Sequence, residues 1–296
     1  MKSKLKYFED SIPKFIVSPT FLIMITFTYG FIIWNFVLSL TNSRLLPVYT
    51  FVGFKQYIKL FSDDKWWIAL QNLFIFSLLF ISTCIVFGLL LAIFIDQKVR
   101  FEGIFRTIYL YPMALSFIAT GTVWQWMLNP GLGLEKFVKE MGFTDFTFNW
   151  IVDPKMAIYT IVIAAIWQST GFVMILLLAG LRGINSEVVN AAKIDGASMP
   201  KIYWKIIIPQ LRPVFFSSII ILLHIAIKTF DLVIVMTKGG PGYSTILPSI
   251  FMYQNSFARN QLAYGASSAM IMLLFVMIFV VPYLYNELRS KNEYSN

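Results

Sequence analysis

The side chains best suited to chemistry lie close together in one apolar stretch of the sequence. His224 precedes Lys228 by four residues, and Asp231 follows Lys228 by three. Helical periodicity predicts that Lys228 and Asp231 share one face, with His224 one turn earlier. An ionised group near the centre of a bilayer costs about 2.5 to 3.5 kcal/mol, so these groups are expected to face a polar cavity or each other. A polar pathway and an internal ion pair both remain open.

A second polar group interrupts another apolar stretch at Trp167 and Gln168, and Ser169 and Thr170 follow directly. An aromatic face can stack on the apolar surface of a sugar ring, and an amide can bind its hydroxyl groups. A small number of such groups in an apolar wall is typical of a ligand site. Packing between helices is the alternative for each of these residues.

Patterns for catalysis or metal binding are missing. The sequence has no GxxxxGK[ST], HExxH or GxSxG motif, and no paired carboxylates within its apolar stretches. Cys84 and His224 are the only cysteine and the only histidine, and neither has ligand partners at metal-site spacing. We therefore expect a protein that is not an enzyme and holds no cofactor or metal.

Composition indicates a membrane protein. Of the 296 residues, 58% are hydrophobic and only 13% are charged, about half the charged share of a soluble domain. The net charge of +9 comes from lysines and arginines scattered between apolar runs. A nucleic-acid-binding surface would gather them into a patch, so no nucleic-acid partner is expected.

Six apolar stretches are long enough to cross a bilayer, which predicts an all-α protein with one transmembrane domain over residues 1–296. The predicted spans are residues 15–40, 70–95, 108–128, 156–181, 214–236 and 266–285. The first is too long for a signal peptide and lacks a cleavage site, so we expect it to be retained. One set of loops and termini holds fourteen lysines and arginines against nine on the other side. This bias places both termini and residues 182–212 in the cytoplasm.

The 182–212 loop, between the fourth and fifth spans, has the punctuation of two short helices. Asn185 or Ser186 can cap the first helix, Glu187 suits its first turn, and Gly196 can end it in the left-handed conformation. Ser198 and Pro200 suit the start of the second helix, which Pro209 is expected to close. Such a protruding pair of helices fits the groove of a partner.

This loop resembles the EAA loop of membrane subunits of binding-protein-dependent ABC importers. Ala191, Ala192, Gly196, Ile206 and Pro209 stand at consensus places, and Asp195-Gly196-Ala197 matches the extended form. Asn190 replaces the family's glutamate and Ile208 its leucine. The resemblance extends to residues 51–61, 124–133 and 230–245, which are similar to maltose-type carbohydrate permeases. The residues implied in contact with an ATPase are Glu187, Asn190, Ala191, Ala192, Asp195, Gly196, Ala197, Ile206 and Pro209.

The resemblance implies a permease subunit of the bacterial inner membrane that imports a sugar or oligosaccharide. It implies a heterodimer with a second, homologous permease, two cytoplasmic ABC ATPase subunits that bind ATP-Mg, and an extracellular solute-binding protein. A glycerol-phosphate-type solute is the alternative cargo, and an ion-coupled secondary transporter is a further alternative.

The resemblance also implies two further sites. The central solute site of maltose-type relatives draws on the fourth to sixth spans, which indicates Trp167, Gln168, Lys228, Asp231 and Tyr264. The segment Gly239, Gly240, Pro241 and Gly242 resembles a form carried by one of the two permease types. As plain sequence it is a turn, and docking of the binding protein is the other interpretation.

Overall fold

The computed structural model describes residues 2–97 and 100–293, with side chains from residue 17 to residue 285 except 98 and 99. This part of the chain is built from helices and connecting segments, with an isolated antiparallel bridge between Thr41 and Phe51. The helices are α1 (Lys2–Ser39), α2 (Lys55–Phe61), α3 (Asp64–Asp96), α4 (Glu102–Ala114), α5 (Phe117–Met127), α6 (Gly133–Glu140), α7 (Ala157–Arg182), α8 (Ser186–Ile194), α9 (Met199–Ile202), α10 (Ile208–Gln210), α11 (Arg212–Lys228), α12 (Asp231–Met236), α13 (Pro248–Tyr253) and α14 (Leu262–Glu293). The all-helical membrane class is thereby confirmed.

Four helical segments of the described chain are long and apolar enough to cross a bilayer by themselves. They are Val17–Ser39, Asp64–Asp96, Ala157–Arg182 and Leu262–Tyr285. A fifth crossing is formed if Met199–Gln210 and Arg212–Lys228, which meet at a bend of 65°, count as one span. These segments overlap the first, second, fourth, sixth and fifth predicted spans. The count of six remains a prediction.

The third predicted span, residues 108–128, is not one continuous helix. It covers most of α4 and all of α5, and the chain is extended at Leu115 and Ser116 between them. Pro112 lacks an N–H group and disturbs the last turn of α4. The Ser116 hydroxyl then accepts a hydrogen bond of 3.1 Å from the Ala119 N–H and starts α5 as its N-cap.

The fifth predicted span, residues 214–236, is also interrupted. Helix α11 ends at Lys228 and α12 begins at Asp231, with Thr229 and Phe230 outside helical geometry. Periodicity alone predicts continuation through these residues because the apolar run extends on both sides and neither residue is proline or glycine.

The described chain divides into two compact units. Unit 1 contains Met1–Ser62 and Met252–Ile271, and unit 2 contains Asp63–Phe251 and Met272–Asn296. Long helix α14 contributes to both. The single transmembrane domain expected from the sequence remains a prediction beside this division.

Helices α3 and α7 form the most extensive helix pair of unit 2. Buried residues of α3 recur every four positions on the face toward this core: Phe76, Phe80, Cys84, Gly88 and Ala92. A methyl group added at Gly88 would lie 2.7 Å from Val173 Cγ1 of α7, so the absent side chain allows the close approach. Apolar helices in lipid gain little from hydrophobic burial and depend on such tight packing.

Unit 1 joins the end of α1 to the start of α14. The Ser43 carbonyl accepts a hydrogen bond of 3.0 Å from the Ala263 N–H, and the Asn35 amide donates one of 3.4 Å to the Ala266 carbonyl. The buried Gln56 amide of α2 donates to the Thr41 carbonyl at 3.1 Å. These bonds hold residues 40–62 against the first turns of α14.

Gly88→Ala is expected to destabilise unit 2 by about 1–3 kcal/mol, because the new methyl group overlaps Val173 and must push α3 from α7. Thermal unfolding of the purified chain in detergent measures the change. Gly30→Ala is the matched control, because a methyl group at Gly30 of α1 meets no atom within 4 Å. Equal melting temperatures for both variants would show that the α3–α7 contact has room to spare.

Candidate functional site

A cavity of about 340 Å³ lies where the two interrupted helices of unit 2 meet. Phe117, the first residue of α5, lines one side. The other lining residues come from the end of α11, the break and the start of α12: His224, Ile225, Lys228, Thr229, Phe230, Asp231 and Leu232. Helices α5 and α12 pack closely beside it, since a methyl group at Gly121 would lie 3.2 Å from Val235 Cβ. Discontinuous helices often build solute sites within transporters.

Each break in these helices leaves a backbone carbonyl that a buried side chain satisfies. The Gln168 amide of α7 donates a hydrogen bond of 2.8 Å to the Leu115 carbonyl at the first break. The Ser249 hydroxyl of α13 donates to the Thr229 carbonyl at the second. Both donors are buried. An unpaired carbonyl in hydrocarbon would cost several kcal/mol, and the hydrogen bonds from these two side chains offset that cost at the breaks.

The charged residues of the fifth predicted span line the cavity, but not as one helical face. Lys228 is the last residue of α11 and Asp231 the first of α12, so the helical spacing assumed for them does not apply. Within the described part of the chain, no ion pair within 4 Å joins their side chains. His224, Lys228 and Asp231 are all exposed on the chain.

Trp167 and Gln168 occupy different environments although they are neighbours. The Trp167 ring is 43% exposed and packs edge-on against Trp124 of α5, with 6.0 Å between ring centroids. Gln168 is 2% exposed and turned toward the Leu115 carbonyl. In this position Gln168 contributes to helix packing through its hydrogen bond to the Leu115 carbonyl. A role in solute binding remains a prediction for both residues.

Tyr264, the remaining residue of the predicted solute site, belongs to unit 1 and is 3% exposed. Its ring lies beneath the Lys59 ammonium group, with 4.1 Å between Nζ and the ring centroid. Its assignment to a solute site remains a prediction.

The predicted turn at 239–242 is a structured element. Gly239 and Gly242 have positive φ angles of 90° and 62°, and the Gly240–Pro241 peptide bond is cis. The Thr245 hydroxyl donates a hydrogen bond of 2.8 Å to the Gly240 carbonyl. Gly240 and Pro241 also line a cavity of about 310 Å³ together with Gln125, Asn129 and Pro130.

Asn72 of α3 fastens the end of this turn. Its buried amide donates hydrogen bonds of 3.1 Å to the Tyr243 carbonyl and 3.0 Å to the Ile246 carbonyl. Sequence spacing gives no sign of this contact, because the partners are more than 170 residues apart.

The first helix of the 182–212 loop has the predicted caps. The Asn185 side chain accepts a hydrogen bond of 2.9 Å from the Glu187 N–H at the start of α8. Gly196 has a φ of 77°, and the Ala197 N–H reaches the Ala192 carbonyl at 3.0 Å. This is the hydrogen-bond pattern with which a left-handed glycine ends a helix.

The second helix of the loop ends at Gln210, within one residue of the predicted stop at Pro209. A helical stretch runs from Met199 to Gln210 and bends by 65° at Leu211 before α11. Residues Tyr203–Ile207 within it form a wider π turn. This widening accommodates Pro209, whose ring would clash with the carbonyl four residues earlier in a regular α-helix.

The loop exposes apolar side chains that no described residue covers. Helix α8 has no buried residue. Ile194 is 86% exposed and Trp204 is 72% exposed, and Val188 and Met199 are also exposed. The predicted contact residues Asn190, Ala191, Asp195 and Gly196 are exposed as well. Exposed apolar side chains concentrated on one element mark an interaction surface.

An ion cluster that the sequence analysis did not identify lies at the base of this loop. Arg182 ends α7, and its guanidinium lies 2.9 Å from Glu102 Oε1 of α4 and 3.5 Å from Asp96 Oδ1 of α3. The hydrogen bond from Arg182 is the main cause of a lowered pKa at the Glu102 carboxyl group. Charged residues at the ends of helices were the available signal in the sequence, but which of them form ion pairs depends on the tertiary fold.

A cavity between broken helices in a multi-pass helical fold is typical of membrane transport subunits. Residues 84–291 match the family described as the inner membrane component of binding-protein-dependent transport systems. The chain belongs to this family.

Similar proteins agree with the family. A probable ABC transporter permease of Pyrococcus horikoshii is 44% identical over 90% of this chain and 92% of its own. The xylose/arabinose import permease of Haloferax volcanii is 33% identical over 98% and 93%. The trehalose/maltose permease of Thermococcus litoralis is 32% identical over 96% of both chains.

The solved structures support the same fold. A chain of a bacterial ABC transporter that imports alginate has a TM-score of 0.80 and covers 98% of this chain and 99% of its own at 19% identity. At this identity the likeness concerns the fold alone.

Glu102→Gln is expected to lower stability at neutral pH and to flatten its dependence on acid. A carboxyl group whose folded pKa is lowered stabilises the protein above its unfolded pKa, about 4.3 for Glu, and loses that contribution as the pH falls through the folded value. Melting temperatures of the purified chain between about pH 7 and pH 3 measure the effect. Asp145→Asn is the control, since this exposed carboxylate has no ion pair in the described part of the chain. Parallel pH curves for wild type and Glu102→Gln would contradict the expectation.

Proposed function

We propose that the chain is the permease subunit of an ATP-driven importer whose 182–212 loop receives force from a separate ATPase. The observation that carries this proposal is the exposed loop with apolar side chains on both of its helices and an ion cluster at its base. Alternating access needs a partner with differential contacts to two conformations of the permease. The loop is the element of the described chain best formed for those contacts.

The ion cluster gives the proposal a mechanical path. Arg182 joins the ends of α3, α4 and α7 directly before the loop. A displacement of α8 therefore pulls on three helices together, whereas a loop with a mobile base would absorb it. Helix α4 leads to the break at Leu115 and thus toward the cavity.

We propose a sugar or oligosaccharide as the imported solute. Support comes from the names of relatives that carry xylose or arabinose, trehalose or maltose, and starch degradation products. The cavity between the helix breaks offers Lys228, Asp231 and His224 as hydrogen-bonding groups and Phe117 as an aromatic wall. Trp167 is our proposed further contact.

A glycerol-phosphate-type solute is the second candidate. A permease for sn-glycerol-3-phosphate from Pectobacterium atrosepticum is 28% identical over 94% of this chain. The ammonium group of Lys228 at the cavity suits a phosphate as well as a hydroxyl group.

The proposed assembly contains a second, homologous permease, two cytoplasmic ABC ATPases that bind ATP-Mg, and an extracellular binding protein. A solved neighbour is described as an alginate transporter in complex with a ligand-bound periplasmic protein. We propose that both termini and the 182–212 loop are cytoplasmic, in a bacterial inner membrane, and that the turn at 239–242 contributes to docking outside.

Gly196→Val is expected to uncouple ATP hydrolysis from transport, because a β-branched residue resists the φ of 77° that ends α8. Strain of about 1–2 kcal/mol would shift the turn between the two loop helices. Uptake and ATPase activity of the reconstituted complex measure coupling. Gly196→Asn is the matched control, since asparagine tolerates this conformation. Normal uptake by both Gly196→Val and Gly196→Trp would argue against the loop as a lever.

Asp231→Asn is expected to raise the solute concentration that gives half-maximal stimulation of the ATPase about tenfold or more. The reason is that a hydrogen bond to a charged group contributes about 1.5–3 kcal/mol. Ligand-stimulated ATPase of the assembled complex measures it, and Asp145→Asn is the control.

Comparing Gln168→Ala with Asp231→Asn distinguishes a residue that packs from a residue that binds solute. Removing the donor to the Leu115 carbonyl is expected to lower the melting temperature, whereas Asp231→Asn leaves it unchanged. Unaltered stimulation in both variants would remove this cavity as the solute site.

A further inference from the structure

A polar cavity among the described residues of unit 1 is unrelated to the helix breaks. Its volume is about 460 Å³, and its wall carries three cations, Arg44, Lys59 and Arg259. Amide and hydroxyl groups and one apolar side chain complete the lining: Asn42, Ser43, Leu45, Gln56, Asn260, Gln261 and Tyr264. No carboxylate belongs to this lining.

Among the described side chains of unit 1, no carboxylate neutralises the positive charge of the cavity. Residues 17–62 and 252–271, whose side chains the structure describes, contain four lysines and arginines and no aspartate or glutamate. Lys59 donates to the Gln261 amide oxygen at 2.9 Å, and Arg259 donates to the Asn255 amide oxygen at 3.1 Å. Arg44 has no hydrogen-bond or ion-pair partner among the described side chains. Three cations facing one space favour an anion from outside the unit.

The lengths of the two neighbouring apolar helices place the cavity at the level expected for the membrane surface. Val17–Ser39 and Leu262–Tyr285 have 23 and 24 residues, which corresponds to about 35 Å each, slightly more than a hydrocarbon core of about 30 Å. The bond between the Ser43 carbonyl and the Ala263 N–H brings the end of the first helix to the start of the other. Eight of the ten lining residues lie within six positions of these two ends. The other two, Gln56 and Lys59 of α2, are tied to them by hydrogen bonds to the Thr41 carbonyl and the Gln261 amide oxygen. Phospholipid phosphates occupy this level of a bilayer.

An exposed apolar run follows the cavity lining in the sequence. Leu45, which lines the cavity, is 69% exposed, and Leu46, Val48, Tyr49 and Phe51 after it are also exposed. A lipid places glycerol and acyl carbons directly beside its phosphate, so it can contact both the cations and this apolar run. Cations beside an apolar edge are the pattern of lipid-headgroup recognition.

We propose that this cavity binds the phosphate headgroup of an anionic phospholipid, with Arg44, Lys59 and Arg259 contacting the phosphate. The Arg guanidinium groups present paired donors that match phosphate oxygens, and Lys59 adds a point charge above the Tyr264 ring. The proposal requires the membrane fold of the family but neither the ATPase nor a particular solute, so its failure would leave the transport proposal intact.

The test is titration of the purified full-length chain in detergent with phosphatidylglycerol or phosphatidylcholine, with bound lipid counted by native mass spectrometry. Arg44→Gln is the decisive variant, because it removes a charge without breaking a described contact. Each lost cation is expected to weaken phosphatidylglycerol binding about fivefold, so the double variant Arg44→Gln/Arg259→Gln is expected to show about a 30-fold loss. Lys55→Gln is the matched control, since Lys55 is exposed in the same unit but does not line the cavity.

Three results would overturn the proposal. Equal phosphatidylglycerol affinity in wild type, Arg44→Gln and Lys55→Gln would exclude the cavity as the lipid site. Displacement of the lipid by equimolar inorganic phosphate would assign the site to free phosphate. If the assembled complex with Arg44→Gln loses the stimulation of its ATPase activity by the binding protein while its lipid affinity is unchanged, the cavity is a protein-docking site.

Discussion

The constraint on which the rest of the structure depends is that backbone carbonyls in an apolar medium need donors. Two helices of this permease are interrupted, and at each interruption one buried side chain supplies the donor, Gln168 at Leu115 and Ser249 at Thr229. The donors come from α7 and α13, so the breaks are held by the surrounding fold and not by their own sequences. The cavity lined by Lys228 and Asp231 exists because the chain can leave helical geometry at these two positions.

Close packing of unit 2 and the ion cluster at its end act on the same helices. Gly88 brings α3 against α7, and Arg182 joins the ends of both to the start of α4. Solvent screening limits the benefit of such ion pairs, because Glu102 and Arg182 remain partly exposed. We therefore attribute the stability of the α3–α7 pair to its packing. The ion pairs mainly fix the relative positions of the helix ends.

Local signals predicted the features that depend on neighbouring residues. Caps of α8 followed from Asn185 and Gly196, and long apolar runs gave four spans directly. The features set by distant residues were missed. The breaks at Leu115 and Thr229, the clasp from Asn72 and the partners of Arg182 depend on contacts 50 or more residues away or on a different helix. Pro209 located the end of the second loop helix to within one residue, whereas the π turn at Tyr203–Ile207 before it had no signal in the sequence.

The bonds around residues 229–246 have a consequence for motion. Ser249 fixes the start of this segment at Thr229, and Asn72 fixes its far end at Tyr243 and Ile246. The wall of the charged cavity and the glycine-rich turn are thus parts of one braced segment. Two hydrogen-bonded ends restrain this segment, so we expect bending of the fifth crossing to fall outside residues 229–246.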